Sequence, residues 1–334
     1  MSRCRVHELL PIALLTASLA LGGCSAPTTT TTGSPGSAAL PSATGTAAAA
    51  ADPYAHIPDI VEAVAPSVVT IFTDHAQGSG VIWNADGRIV TNNHVATSGS
   101  NLEVSLGSGG RLPATLLGTT PRLDLAVIKV DRTDLPAATF NPTEPKLGSL
   151  AIAIGDPLGF ENSVTVGVVS GMHRSIPGAA QQSPALVDLL QTDAAISPGN
   201  SGGALVGPDG SIIGINVAYI PPTASAVAIG FAIPAATVID AVPYLEKGEA
   251  VPLAWLGLSP VTLTPALAQR LGIDATTGAI VAEVAPGGPA DQAGIKVEDV
   301  ITAIGGQPIA TAEDLLAALR MLKPGDTVDV TIER

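Results

Sequence analysis

Short Val/Ile-rich runs recur along the middle of the chain, at 67–73, 80–83, 88–91, 102–106, 126–130, 151–154, 163–170, 211–218 and 228–233, each bounded by Gly, Pro, Asn or Asp. Runs of β-branched residues at this length, punctuated by turn residues, predict strands; their regular spacing predicts all-β barrels or sandwiches rather than βαβ units. Residues 234–247 read as a helix stopped by Gly248, with Pro243 kinking or shortening it because proline has no N–H to give. A linker at 249–253 then leads into a second module. There Thr311 is a good N-cap for a helix running to about Leu322, and Asp314 in its first turn favours the helix dipole. Leu315, Leu316 and Leu319 give that helix an apolar stripe.

The first 52 residues follow another pattern. Arg3 and Arg5 precede an apolar run at 9–21, and Gly22 and Gly23 come before Cys24. This is the form of an export signal, and the run is short for a spanning helix. Leu21-Gly22-Gly23-Cys24 resembles the lipobox of bacterial lipoproteins, which implies lipidation of Cys24; the alternative is an ordinary secretory peptide with an incidental cysteine. Cys4 would leave with the signal, so the mature chain would hold no disulfide although its compartment permits one. From Ser25 to Ala51 the chain is Thr, Ser, Ala, Gly and Pro apart from Leu40, without apolar periodicity or charge. Such a segment buries too little surface to offset its ordering entropy and is expected to be a tether. The expected organisation is a signal peptide at 1–23, a tether at 24–52, a first folded domain at 53–248 and a second at 253–334.

Composition narrows the partners. The chain has 334 residues, 46% of them hydrophobic, and a formal net charge of -14 with only 15 Lys and Arg, which are scattered. A polyanion such as nucleic acid is a poor partner for that surface.

Candidate chemistry centres on Gly199-Asn200-Ser201-Gly202-Gly203, where a serine between glycines has room for substrate and free backbone N–H groups. In α/β-hydrolases the partners of such a serine follow it, yet no histidine follows Ser201. His94 and Asp124 precede it, giving the chain order His, Asp, Ser of chymotrypsin-like proteases. Neutral His94 would act as general base for Ser201, Asp124 would fix its tautomer, and the N–H groups of Gly199 and Ser201 would form the oxyanion hole. His7, His56, His75 and His173 carry no such flanking pattern and are taken as ordinary residues. No H-E-x-x-H or paired-Cys spacing exists, so no metal or other cofactor is expected.

Several segments, in order, resemble the HtrA/Deg serine proteases: Gly78-Ser79-Gly80-Val81, Thr91-Asn92-Asn93-His94-Val95, Asp124-Leu125-Ala126-Val127, Ile154-Gly155-Asp156-Pro157, Gln191-Thr192-Asp193-Ala194-Ala195-Ile196 and Gly230-Phe231-Ala232-Ile233-Pro234. The resemblance implies two chymotrypsin-like six-stranded β-barrels followed by an α+β PDZ domain. It implies an ATP-independent envelope endopeptidase acting on misfolded or regulatory proteins, assembled as a homotrimer. By the same resemblance Ile196, Ile220 and Ile229 line an aliphatic specificity pocket suited to Val or Ala, and Asp193 supports the active-site loop. Trp255-Leu256-Gly257-Leu258 corresponds to the carboxylate loop and strand of the PDZ groove, which binds C-terminal peptides. Asp156 and Ser197-Pro198 depart from the usual family residues, which bears on loop geometry. The chain ends at Thr331-Ile332-Glu333-Arg334, where the family continues into one more strand, so completeness of the PDZ module is left open. A competing class is a chaperone or peptide-binding protein that uses the same cleft without turnover.

Overall fold

The Val/Ile-rich runs close into two barrels, with strands such as β1, β2, β6 and β7 buried on both faces. The computed structural model describes residues 54–106, 110–155, 163–176, 187–220 and 229–334, apart from the side chains of 218–220. The export signal, Cys24 and the tether lie outside the described residues, as does Asp156.

The first barrel contains β1 (Val68–Phe72), β2 (Gln77–Ile82), β3 (Arg88–Thr91), β4 (Glu103–Ser105), β5 (Arg111–Thr120) and β6 (Leu125–Val130), closed in the order β1-β2-β3-β6-β5-β4. The second contains β7 (Leu150–Gly155), β8 (Ser163–Arg174), β9 (Leu189–Thr192), β10 (Ala204–Val206), β11 (Ile212–Ile220) and β12 (Ile229–Pro234), closed in the order β10-β11-β12-β9-β8-β7. Val69, Ile71, Ile82, Ile89 and Ile128 pack together in the first, and Ala151, Ala153, Leu190, Leu205 and Ala232 in the second. A third cluster joins them: Val81, Val90, Leu125 and Val127 of the first barrel meet Ile154, Ile215, Phe231 and Ile233 of the second. Each fully buried aliphatic side chain contributes about 1.5–3 kcal/mol, so this seam is a major source of cohesion.

Helix α1 (Ile57–Val64) precedes β1, a single turn α2 (Asn93–Ala96) follows β3, and α3 (Ala235–Leu245) follows β12. Val238, Ala241, Val242 and Leu245 put one face of α3 into the seam. Pro243 sits in the last turn of α3, where it removes the bond to the carbonyl four residues back and only two helical residues follow, and the chain turns away at Gly248 with φ +69. Strand β5 was hidden from the hydrophobic pattern because it is half exposed, contains Pro113 and is interrupted by a bulge between Leu116 and Gly118. The bulge has a packing reason. A Cβ on Gly118 would lie 2.3 Å from the carbonyl oxygen of Leu245, so only glycine lets the end of α3 close on β5.

The C-terminal module is a five-stranded sheet of β13 (Leu258–Thr262), β14 (Ala279–Val284), β15 (Val300–Ile304), β16 (Gln307–Pro308) and β17 (Val330–Glu333), with β17 paired to β15. Helices α4 (Pro265–Leu271), α5 (Pro289–Gln292) and α6 (Ala312–Arg320) complete it. Thr311 caps α6 as its sequence predicts: the Asp314 N–H donates to Thr311 Oγ1 at 3.1 Å, and the Thr311 N–H donates to Asp314 Oδ2 at 2.9 Å. Leu315 and Leu319 face the core of this module, and β13 forms one edge of the sheet.

Gly118→Ala is expected to lower unfolding free energy by about 1–3 kcal/mol, because a methyl group must displace the Leu245 backbone. Chemical denaturation of the full chain measures it, and an unchanged midpoint would contradict the packing described.

Candidate active site

Asp124 ends the turn between β5 and β6 with φ +52, a left-handed conformation that aspartate tolerates better than most residues. Two hydrogen bonds hold its carbonyl oxygen there: the Asn93 N–H donates at 3.0 Å, and Asn92 Nδ2, on a fully buried side chain, donates at 3.1 Å. Its carboxylate then faces α2. Oδ1 accepts the backbone N–H of His94 at 2.9 Å, and Oδ2 lies 2.7 Å from His94 Nδ1. An ionised carboxylate can only accept, so Nδ1 carries the proton and Nε2 is left as the acceptor. The Asp124 carboxylate is mostly buried whereas the imidazole is about half exposed, with side-chain accessibilities of 11% and 49%. The imidazole thus faces solvent and the carboxylate beside it does not.

Ser201 lies between β9 and β10. The Asn200 N–H donates to the Ser197 carbonyl at 3.0 Å, closing a turn with Pro198 and Gly199 at its centre. Proline presets the first central φ and Gly199 supplies the second at +101, the pairing a type II turn requires. The departure at Ser197-Pro198 therefore suits this loop. Among the described residues, the N–H groups of Gly199 and Ser201 donate to no protein acceptor. The loop is pinned from the first barrel by Ser79 on β2: its N–H donates to the Ser201 carbonyl at 2.8 Å, and its Oγ donates to the Gly199 carbonyl at 2.7 Å. Thr91 on β3 donates in turn to the Ser79 carbonyl at 2.7 Å. Gly202, with φ +83, passes so close that a Cβ would lie 2.1 Å from the Ser79 oxygen and 2.3 Å from Thr91 Oγ1.

Val95, next to His94, and the Ser201 carbonyl both lie against Gly78 of β2. A Cβ on Gly78 would touch Val95, the neighbour of His94, at 2.7 Å and the Ser201 carbonyl at 3.2 Å. Ser201 Oγ is 3.5 Å from the Val217 carbonyl, longer than a sound O–H···O bond, and among the described residues it makes no hydrogen bond to His94.

The three isoleucines are not equivalent. Ile220 and Ile229 are cross-strand partners on β11 and β12, with the side chain of Ile220 outside the described set. Ile229 packs in the direction of Phe231 and Ile233, whereas Ile196 packs on the opposite face of β12, where a Cβ on Gly230 would lie 2.3 Å from its Cγ1. Gly230 thus leaves room for Ile196 against β12, and its sequence signal is a glycine inside a strand. Asp193 accepts the Val168 N–H at 2.7 Å, tying its loop to β8.

In the C-terminal module, Trp255, Leu256 and Gly257 lead into β13, Gly257 having φ +80. Their N–H groups donate to no described residue, while the carbonyls of Leu256 and Gly257 are held at 2.8 Å by the N–H groups of Ala290 and Ala285. Beside them lies a cavity of ≈ 130 Å³ lined by Trp255, Leu256, Leu258, Leu315 and Leu319 among others. The edge of β13, an apolar cavity and free N–H groups suit an added peptide strand.

A second imidazole–carboxylate pair was invisible in sequence. His173 Nδ1 lies 2.8 Å from Asp188 Oδ1, with both residues left-handed (φ +52 and +57) and Glu144 3.5 Å from His173 Nε2. The bond to Asp188 draws the His173 pKa upward, and burial pushes the Asp188 carboxyl upward.

The profile of a trypsin-like peptidase domain matches residues 78–215 and that of a PDZ domain matches 254–334. Curated relatives include a probable periplasmic serine endoprotease DegP-like from Pseudomonas fulva, 39% identical over 77% of this chain and 53% of its own length. One of the same description from Rhizobium meliloti is 40% identical over 78% of this chain and 51% of its own. The chain thus spans about half the length of these curated relatives. Among solved structures, the HtrA-type protease AlgW with a decapeptide is 33% identical with a TM-score of 0.67, covering 83% of this chain and 94% of that one. The serine endoprotease from Yersinia pestis is 32% identical with a TM-score of 0.61, covering 83% and 92%. Two closed antiparallel barrels, a PDZ domain and relatives of this similarity together mean that the chain belongs to the HtrA family of trypsin-like serine proteases.

Proposed function

We propose that this protein is an ATP-independent serine endopeptidase of the bacterial cell envelope, acting on misfolded or regulatory proteins, with its PDZ domain reading C-terminal peptides. The observation that carries the reading is the His94–Asp124 pair at 2.7 Å, set across the seam from a serine whose loop leaves two N–H groups unpaired among the described residues. Ser201 Oγ attacks the scissile carbonyl carbon as His94 Nε2 takes its proton, and Asp124 stabilises the imidazolium that forms. The oxyanion is received by the N–H groups of Gly199 and Ser201, each such donor being worth about 10²–10³ in kcat. His94 returns the proton to the leaving amine, and water resolves the acyl-enzyme by the reverse path. Ile196, Ile220 and Ile229, with Gly230, set a preference for small aliphatic residues at the cleaved position.

The division into signal, tether, protease domain and PDZ domain is part of this reading, as are a homotrimeric assembly and a lipid at Cys24. The relatives' periplasmic descriptions support an extracytoplasmic place for the chain. The AlgW structures with a tripeptide and a decapeptide support peptide recognition here.

Ser201→Ala is expected to abolish cleavage of an unfolded protein and labelling by a fluorophosphonate while leaving thermal unfolding unchanged, since a cleft hydroxyl adds little stability. Residual peptidase activity in that variant, or a wild-type chain that never labels, would favour the chaperone reading instead.

Wild-type activity should fall as pH is lowered from about 8 to about 5, because an imidazolium cannot accept the serine proton. A flat profile over that range, measured on a peptide substrate without titrating groups, is incompatible with a histidine base.

Cys24→Ser should move the protease out of the membrane fraction or leave an uncleaved precursor, with activity retained. Mass analysis of the mature wild-type N-terminus is the direct check: an unmodified N-terminus at Ser25 or beyond contradicts the anchor.

A further inference from the structure

Helix α6 ends in Arg320, whose guanidinium bridges backbone carbonyls from the two barrels and, with Arg122, lines the cavity beside β13. Nη1 donates to the Val187 carbonyl at 2.6 Å and Nη2 donates to the Arg122 carbonyl at 2.8 Å. Val187 is fully buried and lies two residues before β9. Arg122 lies two residues before Asp124 in the turn between β5 and β6. The side chain as a whole is half-buried, but its guanidinium sits deep enough that burial draws its pKa down to about 10, with the neighbouring Asp188 carboxylate acting against that. Asp188 is fixed in its turn by His173 at 2.8 Å. A cation is rarely placed in such a site without something to hold, since its lost hydration must be replaced.

What it holds is a turn whose own hydrogen bonds are long. Within the turn, the Leu123 N–H reaches the Thr120 carbonyl at 3.2 Å and the Asp124 N–H reaches the Pro121 carbonyl only at 3.4 Å. Arg122 itself is exposed, whereas Leu123 is buried. The 2.8 Å bond from Arg320 is thus shorter than either bond the turn makes to itself, and it acts just upstream of a residue in left-handed conformation.

We propose that Arg320 is a positioning residue for the His94–Asp124 pair: by fixing the Arg122 carbonyl, the PDZ helix α6 holds the turn that aims the Asp124 carboxylate. The proposal rests on the endopeptidase reading above. It makes the PDZ domain a structural part of the active site even when no peptide occupies the groove. A planar two-pronged donor is needed to bridge carbonyls from both barrels, which a compact ammonium does not reproduce.

The test uses the full chain and a chromogenic peptide too short to reach the groove. Arg320→Met is expected to lower kcat by about 10- to 100-fold, the usual cost of a catalytic group displaced by an ångström, with KM nearly unchanged. In the same variant the downfield proton resonance of the His94 Nδ1–H···Asp124 bond should weaken or shift, a change that looser PDZ docking alone would not cause. Met321→Ala, at the exposed neighbouring residue, should match wild type in both readouts. A folded Arg320→Met with wild-type kcat and an unchanged resonance overturns the proposal, and so does a kcat that rises. If that variant does not fold, Arg320→Lys decides: a reduced kcat supports the proposal and a wild-type kcat overturns it. Labelling of wild type at Ser201 by a fluorophosphonate is measured alongside, so that failure of the endopeptidase reading is seen separately.

Discussion

Two hydrogen bonds from Ser79 cross from the first barrel to the loop of the second that carries Ser201, and the site depends on them. The proposed base and its acid belong to one barrel and the proposed nucleophile to the other, so neither barrel holds the chemistry alone. Ser79 fixes the carbonyls of Gly199 and Ser201, and the Gly203 N–H, donating to the Asn200 carbonyl at 2.9 Å, orients the peptide that carries the Ser201 N–H. Gly202 makes the close approach sterically possible, as a Cβ there would collide with Ser79 and Thr91 at little over 2 Å. The apolar cluster behind these polar contacts supplies the cohesion, and the short hydrogen bonds supply the register.

Charge is handled economically on the other side of the seam. Asp124 is mostly buried, yet each carboxylate oxygen has a donor on His94, and Asn92 and Asn93 satisfy its carbonyl. These donors replace the water that burial takes from the carboxylate, which is what a proposed orienting acid needs. The same turn receives Arg320 from the PDZ domain, so the frame around Asp124 is built from three parts of the chain: α2, the β5–β6 turn and α6.

The strands with both faces buried were legible because their Val and Ile residues form continuous runs; β6 and β7 are examples. Strand β5 was not, since a half-exposed strand with Pro113 and a bulge at Gly118 lacks both the alternation and the β-branched density that mark a strand. Strands β9 and β10, at four and three residues, are too short to carry a period. Helix α6 was legible from its cap, because Thr311 and Asp314 exchange bonds locally; it stops at Arg320, two residues short of Leu322, as the expectation left approximate. His94, Asp124 and Ser201 could be picked out by chain order and flanking residues, although nothing local shows that residues 30 apart share a 2.7 Å bond. The His173–Asp188 pair and the Arg320 bridge carry no local signature, the latter joining residues 198 apart. Long-range polar contacts of this kind are decided by packing and cannot be read from periodicity.

The central claim is that Ser201, His94 and the Gly199 turn form one acyl-transfer site across the seam. A structure of the full chain with a peptide boronic acid tests it most directly. The account predicts boron bonded to Ser201 Oγ, one boronate oxygen about 2.7–3.1 Å from the N–H groups of both Gly199 and Ser201, and His94 Nε2 within hydrogen-bonding reach of the adduct. A boronate attached elsewhere, or bound to Ser201 with the Gly199 N–H directed away from it, would contradict the account.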